Sequence, residues 1–231
     1  MGAAIAKALA NEGSSVVVVD ADAERARQAV REIERTGGTA LAVAADVSRA
    51  SDVQQMVETT VRSFGTVDIL ANVAGTGPTG SIEEITEEKW DRVLTETLKG
   101  AFLCARAVIP HMRKQSWGRI VGIISRETYR PARGSRGVAN YAAANGGVVG
   151  FSRCLAMEVG AFGVTVNVIA PGAVSDATDE RKASDAEDQI LPARPIHPEE
   201  IAGTVLYLVG PYSERITGMV VHINGGGYFP L

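Results

Sequence analysis

The chain has 231 residues, 45% hydrophobic and 22% charged, with a formal net charge of -4. That length can bury a sizeable core in a single domain, here expected to run over residues 1–231. The mild acidity, without a basic stripe, argues against a nucleic-acid surface, and no apolar run reaches the ~20 residues that a membrane helix needs. Two cysteines and three scattered histidines are too few for a zinc site, so no metal is expected. Cys104 and Cys154 lie in apolar helical patterns and are expected as buried thiols of a reducing compartment. The N-terminus carries no secretory pattern, which makes the cytoplasm the expected location.

Taken in chain order, a helical period over residues 2–11 gives way to the apolar run "SSVVVVD" at 14–20. A helix over 23–35 leads to "TALAVAAD" at 39–46, and one over 50–64 leads to "VDILANVAG" at 67–75. A long helix over 87–112 precedes "GRIVGIIS" at 118–125, and a second over 138–160 precedes "VTVNVIAPG" at 164–172. A last helix at 198–209 is followed by "GMVVHING" at 218–225. Near-continuous Val/Ile runs are the mark of parallel strands covered on both faces. Their alternation with helices predicts an α/β fold, a doubly wound Rossmann-like parallel sheet with helices on both faces.

In such sheets ligands bind beyond the carboxyl ends of the strands. Asp20 closes the first apolar run, where a carboxylate accepts hydrogen bonds from an adenosine ribose and repels a 2′-phosphate, which favours NAD(H) over NADP(H). The bland role for Asp20 is a helix cap. Asp46 and Val47 follow the next run at an expected adenine edge, with capping again the alternative for the aspartate. Asn72, Ala74 and Gly75 combine an amide with small residues that let a dinucleotide approach the backbone.

The ordered motifs "DILANVAG", "GRIVGIIS", "NYAAANGGVVGFSRCLAMEV", "GVTVNVIAPG" and "ITGMVVHINGGG" resemble those of the short-chain dehydrogenase/reductase family, in its ketoacyl-reductase-like branch. The resemblance implies an oxidoreductase that passes a hydride between NAD(H) and a carbonyl or alcohol substrate. It also implies a homodimer or homotetramer joined through the two long helices. Ser125 matches the serine that polarises the carbonyl and Tyr141 the tyrosine that transfers the proton. Asp20, Asp46, Val47, Asn72, Ala74, Gly75, Tyr141, Asn145, Pro171 and Gly172 fall along the cofactor.

The chain also departs from the family pattern. Asn145 stands where the family has a lysine that acidifies the tyrosine and holds the ribose, and Thr97 stands at the position of a supporting asparagine. The stretch between Ser125 and Tyr141 is longer than usual, so Thr128 is a second candidate for the serine role. Gly2 matches the third glycine of the family's phosphate-binding turn; the preceding strand and two glycines have no counterpart here. The expectation is therefore a sheet lacking its first strand, with unpaired edges or a gap, and a start that lies upstream of Met1. A tyrosine without a nearby cation titrates near ~10. Loss of such acid–base assistance is worth ~10²–10⁴-fold, so the catalytic set Ser125, Tyr141 and Asn145 is expected to be impaired.

Three replacements for the lost cation or lost function stay open at this point. The arginines Arg126, Arg130, Arg133 and Arg136 lie between serine and tyrosine. The chain can instead be a catalytically inactive family-like binding or oligomer partner. Non-redox chemistry on Ser125 and Tyr141 is the third. The polar stretch 175–189, with Asp176 where a threonine is usual, falls where the family covers its substrate. His111, His197 and His222 are expected in structural or surface roles.

Overall fold

A computed structural model describes residues 1–229 except 74, 76, 78–79, 130–136, 175–189 and 192–193. Ala74, Arg130, Arg133, Arg136, Asp176 and the expected substrate-covering stretch therefore lie outside the described residues. The strands are β1 (Val16–Asp20), β2 (Ala40–Ala44), β3 (Ile69–Asn72), β4 (Gly118–Ile123), β5 (Val164–Pro171) and β6 (Val220–Ile223). The helices are α1 (Gly2–Asn11), α2 (Ala23–Arg35), α3 (Ala50–Phe64), α4 (Glu87–Leu94), α5 (Gly100–Gln115), α6 (Ala139–Val159) and α7 (Pro198–Val209).

Side chains alternate along the strands, and that alternation builds the two layers. On β4, Ile120 faces the cluster formed by α3, α5 and α6, with Val53, Leu103, Val108 and Leu155. Its neighbour Val121 points to the opposite face, onto Ile5 and Leu9 of α1 and Ile201 and Val205 of α7. Both faces of the sheet are covered, in keeping with the near-unbroken burial of β4 and β5.

All strand pairs are parallel, yet they form two sheets: β2 with β1, and β3-β4-β5-β6. One edge of β1 bonds to β2, one edge of β3 bonds to β4, and the other edge of each faces a cleft of ≈ 740 Å³. Val17, Val19, Leu70 and Asn72 line it from the strands, with Ile5 and Met56 from the helices. The slot lies where the sequence predicted a missing strand, and the neighbouring edges have not closed over it.

Two sequence expectations are corrected. The expected single helix over 87–112 is interrupted by a π-helical turn at Thr95–Lys99, which carries Thr97 into the interior at 6% exposure. Cys104 is buried, and desolvation pushes its thiol up to about 11, but Cys154 on α6 is exposed. Among the described residues no helix is long and apolar enough to cross a membrane.

Candidate active site

Because every strand runs the same way, the residues at their carboxyl ends share one edge of the molecule. Asp20 ends β1, Asp46 and Val47 follow β2, Asn72 ends β3, Ser125 follows β4, and Pro171 ends β5 with Gly172 beside it. Asn72 pairs with Gly122 of β4, which puts it three residues in register before Ser125.

Ser125 caps a single 3-10 turn, Arg126–Thr128, and its Oγ accepts the Glu127 backbone N–H at 3.2 Å. With a lone pair occupied in this way, the serine hydroxyl keeps its own proton to donate. Across from it α6 brings Tyr141, whose phenol feels the side chains of both Ser125 and Asn145. Burial is the main influence on this phenol and raises it above its ordinary value, and the Glu127 carboxylate adds to that; Ser125 and Asn145 act in the opposite sense. No positive charge among the described residues offsets the burial.

Asn145 is 3% exposed. Its Oδ1 accepts the Ser125 backbone N–H at 3.0 Å, and its Nδ2 donates to the Tyr141 carbonyl at 2.7 Å. The amide therefore fastens the end of β4 to the first turns of α6. Each end of the amide has one bond within the protein, which leaves a second N–H and a second lone pair beyond those two bonds. The glycines after it serve packing. A Cβ on Gly147 would fall 2.7 Å from Leu98 Cδ2 of the π-turn, so glycine lets α6 approach that turn without displacing the leucine.

Thr128, the alternative to Ser125, has a buried Oγ1 without a partner, whereas Ser125 is the hydroxyl that influences the Tyr141 phenol. The Thr97 Oγ1 is likewise buried and unpartnered. It would stand 3.1 Å from a Cβ on Gly75, a tight approach that glycine avoids. Of the two aspartates, Asp46 has its Oδ1 held by the Ser48 N–H at 2.9 Å and the Ser48 hydroxyl at 2.6 Å, and these bonds keep its carboxyl below the ordinary value. Asp20 accepts the Asp22 N–H through one oxygen at 2.8 Å and lines the cleft. Val47 packs against Gly100, and Gly172 lies against Asn224 while donating its N–H to Ile223 at 2.7 Å.

The residues at this edge could receive a dinucleotide at two ends. Asp20 keeps one carboxylate oxygen outside its bond to the Asp22 N–H, where an adenosine ribose would reach it. On the nicotinamide side Gly172 brings bare backbone close to the Ser125–Tyr141 pair's end of the sheet. Between them lies the slot between β1 and β3.

Sequence reasoning missed two features. Ser125 opens a 3-10 turn that buries the Arg126–Glu127 ion pair, a signal that periodicity does not carry. The second is a clip of rings: Tyr129, at the end of that turn, packs edge-on to His222 with centroids 4.7 Å apart and lies nearly parallel to Tyr228 at 6.2 Å. His222 Nδ1 contacts the Tyr228 hydroxyl at 3.0 Å.

The family model for enoyl-(acyl carrier protein) reductase matches residues 1–227. A Streptomyces niveus protein, the short-chain reductase protein NovJ, is 40% identical over 98% of this chain and 89% of its own length. The Thauera aromatica protein (2S)-[(R)-hydroxy(phenyl)methyl]succinyl-CoA dehydrogenase subunit BbsD is 37% identical over 98% of this chain and 91% of its own. A 3-oxoacyl-[acyl-carrier-protein] reductase of Synechocystis is 41% identical over 98% and 92%. Among solved structures, a dehydrogenase/reductase from Sinorhizobium meliloti superposes with a TM-score of 0.90 at 33% identity, covering 99% of this chain and 90% of that one. With the Rossmann-like sheet, the Ser125–Tyr141 pair and these likenesses together, the chain belongs to the short-chain dehydrogenase/reductase family of nicotinamide-dependent oxidoreductases.

Proposed function

We propose that this chain moves a hydride between NAD(H) and the oxygen-bearing carbon of a β-oxoacyl or β-hydroxyacyl thioester. The observation that carries the reading is that Ser125 at the carboxyl end of β4 and Tyr141 on α6 are fastened together, the Asn145 amide bonding the Ser125 N–H and the Tyr141 carbonyl. The thioester class is suggested by the names of the relatives, a 3-oxoacyl carrier-protein reductase and a hydroxyacyl-CoA dehydrogenase. NADH is preferred to NADPH because the Asp20 carboxylate would repel a 2′-phosphate.

When bound, the nicotinamide supplies the hydride. The chain's own residues handle the oxygen. Ser125 donates its hydroxyl proton as a hydrogen bond to the carbonyl oxygen, polarising it, and Tyr141 transfers its phenolic proton to that oxygen as the C–H bond forms. Asn145 holds the two side chains in register through the Ser125 N–H and the Tyr141 carbonyl. The oxidation runs through the same groups in reverse. The chain acts in the cytoplasm as a homodimer or homotetramer, for which Phe102 of α5 and Met157 of α6, exposed at 40% and 85%, offer an apolar face.

The test is loss of NADH absorbance with a 3-oxoacyl thioester, comparing the parent with Tyr141→Phe. The expected result is turnover in the parent and a drop of ~10²–10⁴-fold in the variant. Equal rates in both would remove Tyr141 from the chemistry. A second reading is a family member without redox chemistry that completes another subunit. The engaged Asn145 amide and the unpartnered Thr97 hydroxyl favour it, and one relative is named a subunit. An inactive chain that raises the activity of a co-purified family member would establish that reading instead.

A further inference from the structure

Strand β6 is followed at once by a hook, Asn224 to Tyr228, that carries a ring back to the strand it has just left. Asn224 builds it: its Nδ2 donates to the Tyr228 carbonyl at 2.8 Å, and its Oδ1 accepts the Gly226 N–H at 3.0 Å. Gly225 and Gly226, at φ of 59° and 80°, supply the left-handed backbone that so tight a return needs. The return sets the Tyr228 hydroxyl 3.0 Å from Nδ1 of His222 on β6, with the two rings nearly perpendicular at 5.3 Å. Both rings close on Tyr129, His222 edge-on and Tyr228 stacked. All three pairs lie within the spacing at which aromatic rings attract.

Tyr129 ends the turn that Ser125 begins. A 3-10 turn this short has little strength of its own. Its backbone bonds run from the Thr128 N–H to the Ser125 carbonyl at 3.3 Å and from the Tyr129 N–H to the Arg126 carbonyl at 2.8 Å. Asn145 fixes the leading end through the Ser125 N–H. At the trailing end the Tyr129 ring packs with the cluster containing Ile124, Val148 and Val168 and is clamped by His222 and Tyr228. Because the Ser125 Oγ accepts the Glu127 N–H from within the same turn, any shift of the turn carries the hydroxyl with it.

We propose that Tyr228 and His222 are positioning residues for the Ser125 hydroxyl: they clamp Tyr129 and so hold the trailing end of the turn, as Asn145 holds its leading end. A hydrogen bond to a carbonyl oxygen weakens steeply as its donor swings out of line, so the clamp acts on turnover without touching substrate. This inference rests on the oxidoreductase reading for the role of Ser125, but the exchange half of its test does not.

The test is amide hydrogen exchange followed by NMR in the parent, Tyr228→Ala and Tyr228→Phe, with reductase rates measured beside it. In Tyr228→Ala the Ser125 and Glu127 amides should exchange about tenfold faster while the β4 and β5 amides keep their protection. The kcat should fall by a similar factor with the KM for NADH unchanged. Tyr228→Phe keeps the stacked ring and should stay nearer the parent in both measurements. Unchanged exchange at Ser125 and Glu127 overturns the proposal. So does faster exchange spread through β4 and β5, which marks a general loss of stability, and so does faster local exchange in an enzyme whose kcat is undiminished. If the alanine variant does not fold, Tyr228→Leu, which keeps apolar volume without a ring, repeats the measurement with the same outcomes. Faster exchange at the two amides in a chain whose parent has no reductase activity upholds the clamp and defeats the oxidoreductase reading alone.

Discussion

Asn145 shows how a single residue can be read correctly in place and differently in role. Its position one turn after Tyr141 was legible in the sequence, as was the absence of a lysine there. Its partner Ser125 was not, because it comes from the end of β4, twenty residues earlier. The sequence alone suggests that Asn145→Lys should raise reductase turnover by bringing a cation to the phenol. The geometry adds a cost: the lysine would leave the Ser125 N–H without its acceptor, worth about 1–3 kcal/mol if that group stays buried. We expect the variant to melt at lower temperature while its turnover per folded molecule rises. Turnover that falls or stays level in folded protein would show that the missing cation is not what limits the site. Glu127 lies at the other extreme. Nothing in the letters "SRETY" marks it, since its burial depends on one turn of 3-10 helix.

Element boundaries were legible where caps and period agree. Asp22 caps α2 through the Glu24 N–H at 2.9 Å, and the apolar spacing of Ala26, Ala29, Val30 and Ile33 continues from it. The π-turn at Thr95–Lys99 was not legible, because one extra residue per turn barely disturbs an apolar pattern already set by the flanking helices. The exposure of Cys154 was missed for a related reason: α6 has small or apolar residues on most sides, so its periodicity does not reveal which side faces solvent. Elements also differ in how firmly they are held. Strands β4 and β5 have a bonded neighbour on both edges, while β1 and β3 each have one edge on the cleft. Amide hydrogen exchange should therefore proceed through local opening in β1 and β2 well before the β4 and β5 amides exchange. Equal protection across all of these strands would mean that the two sheets open as one unit.

For the whole molecule, ionisable groups bound stability on both sides of neutrality. Tyr129, Tyr141 and Tyr228 are all raised, with burial the largest cause in each. A phenol raised in the folded state contributes fully below its unfolded value near ~10 and loses that contribution as the pH climbs through the folded value. On the acid side, Arg194 holds Glu200 down to about 2 through bonds of 2.6 and 2.9 Å, and Ser48 lowers Asp46. Their contribution is present above the ordinary carboxylate values and is lost as the pH falls through the folded ones. Thermal melts should show a plateau near neutrality with a decline above about 10 and another below about 4. A melting temperature unchanged between pH 9 and 11.5 would contradict the alkaline half of that expectation.

The slot between β1 and β3 alters how one common assay must be read. Environment-sensitive dyes such as ANS brighten on apolar surface, and a bright signal is usually taken as a sign of a molten globule. Here residues 1–231 fold around a cleft of ≈ 740 Å³ walled by valine and leucine. A protein of these 231 residues should thus brighten the dye while keeping a sharp near-ultraviolet circular dichroism spectrum and a cooperative melt, and a version carrying an upstream strand that fills the slot should not. In a stability screen of this protein, dye fluorescence would report occupancy of the slot, and a ligand or peptide that enters it would dim the signal without changing the fold.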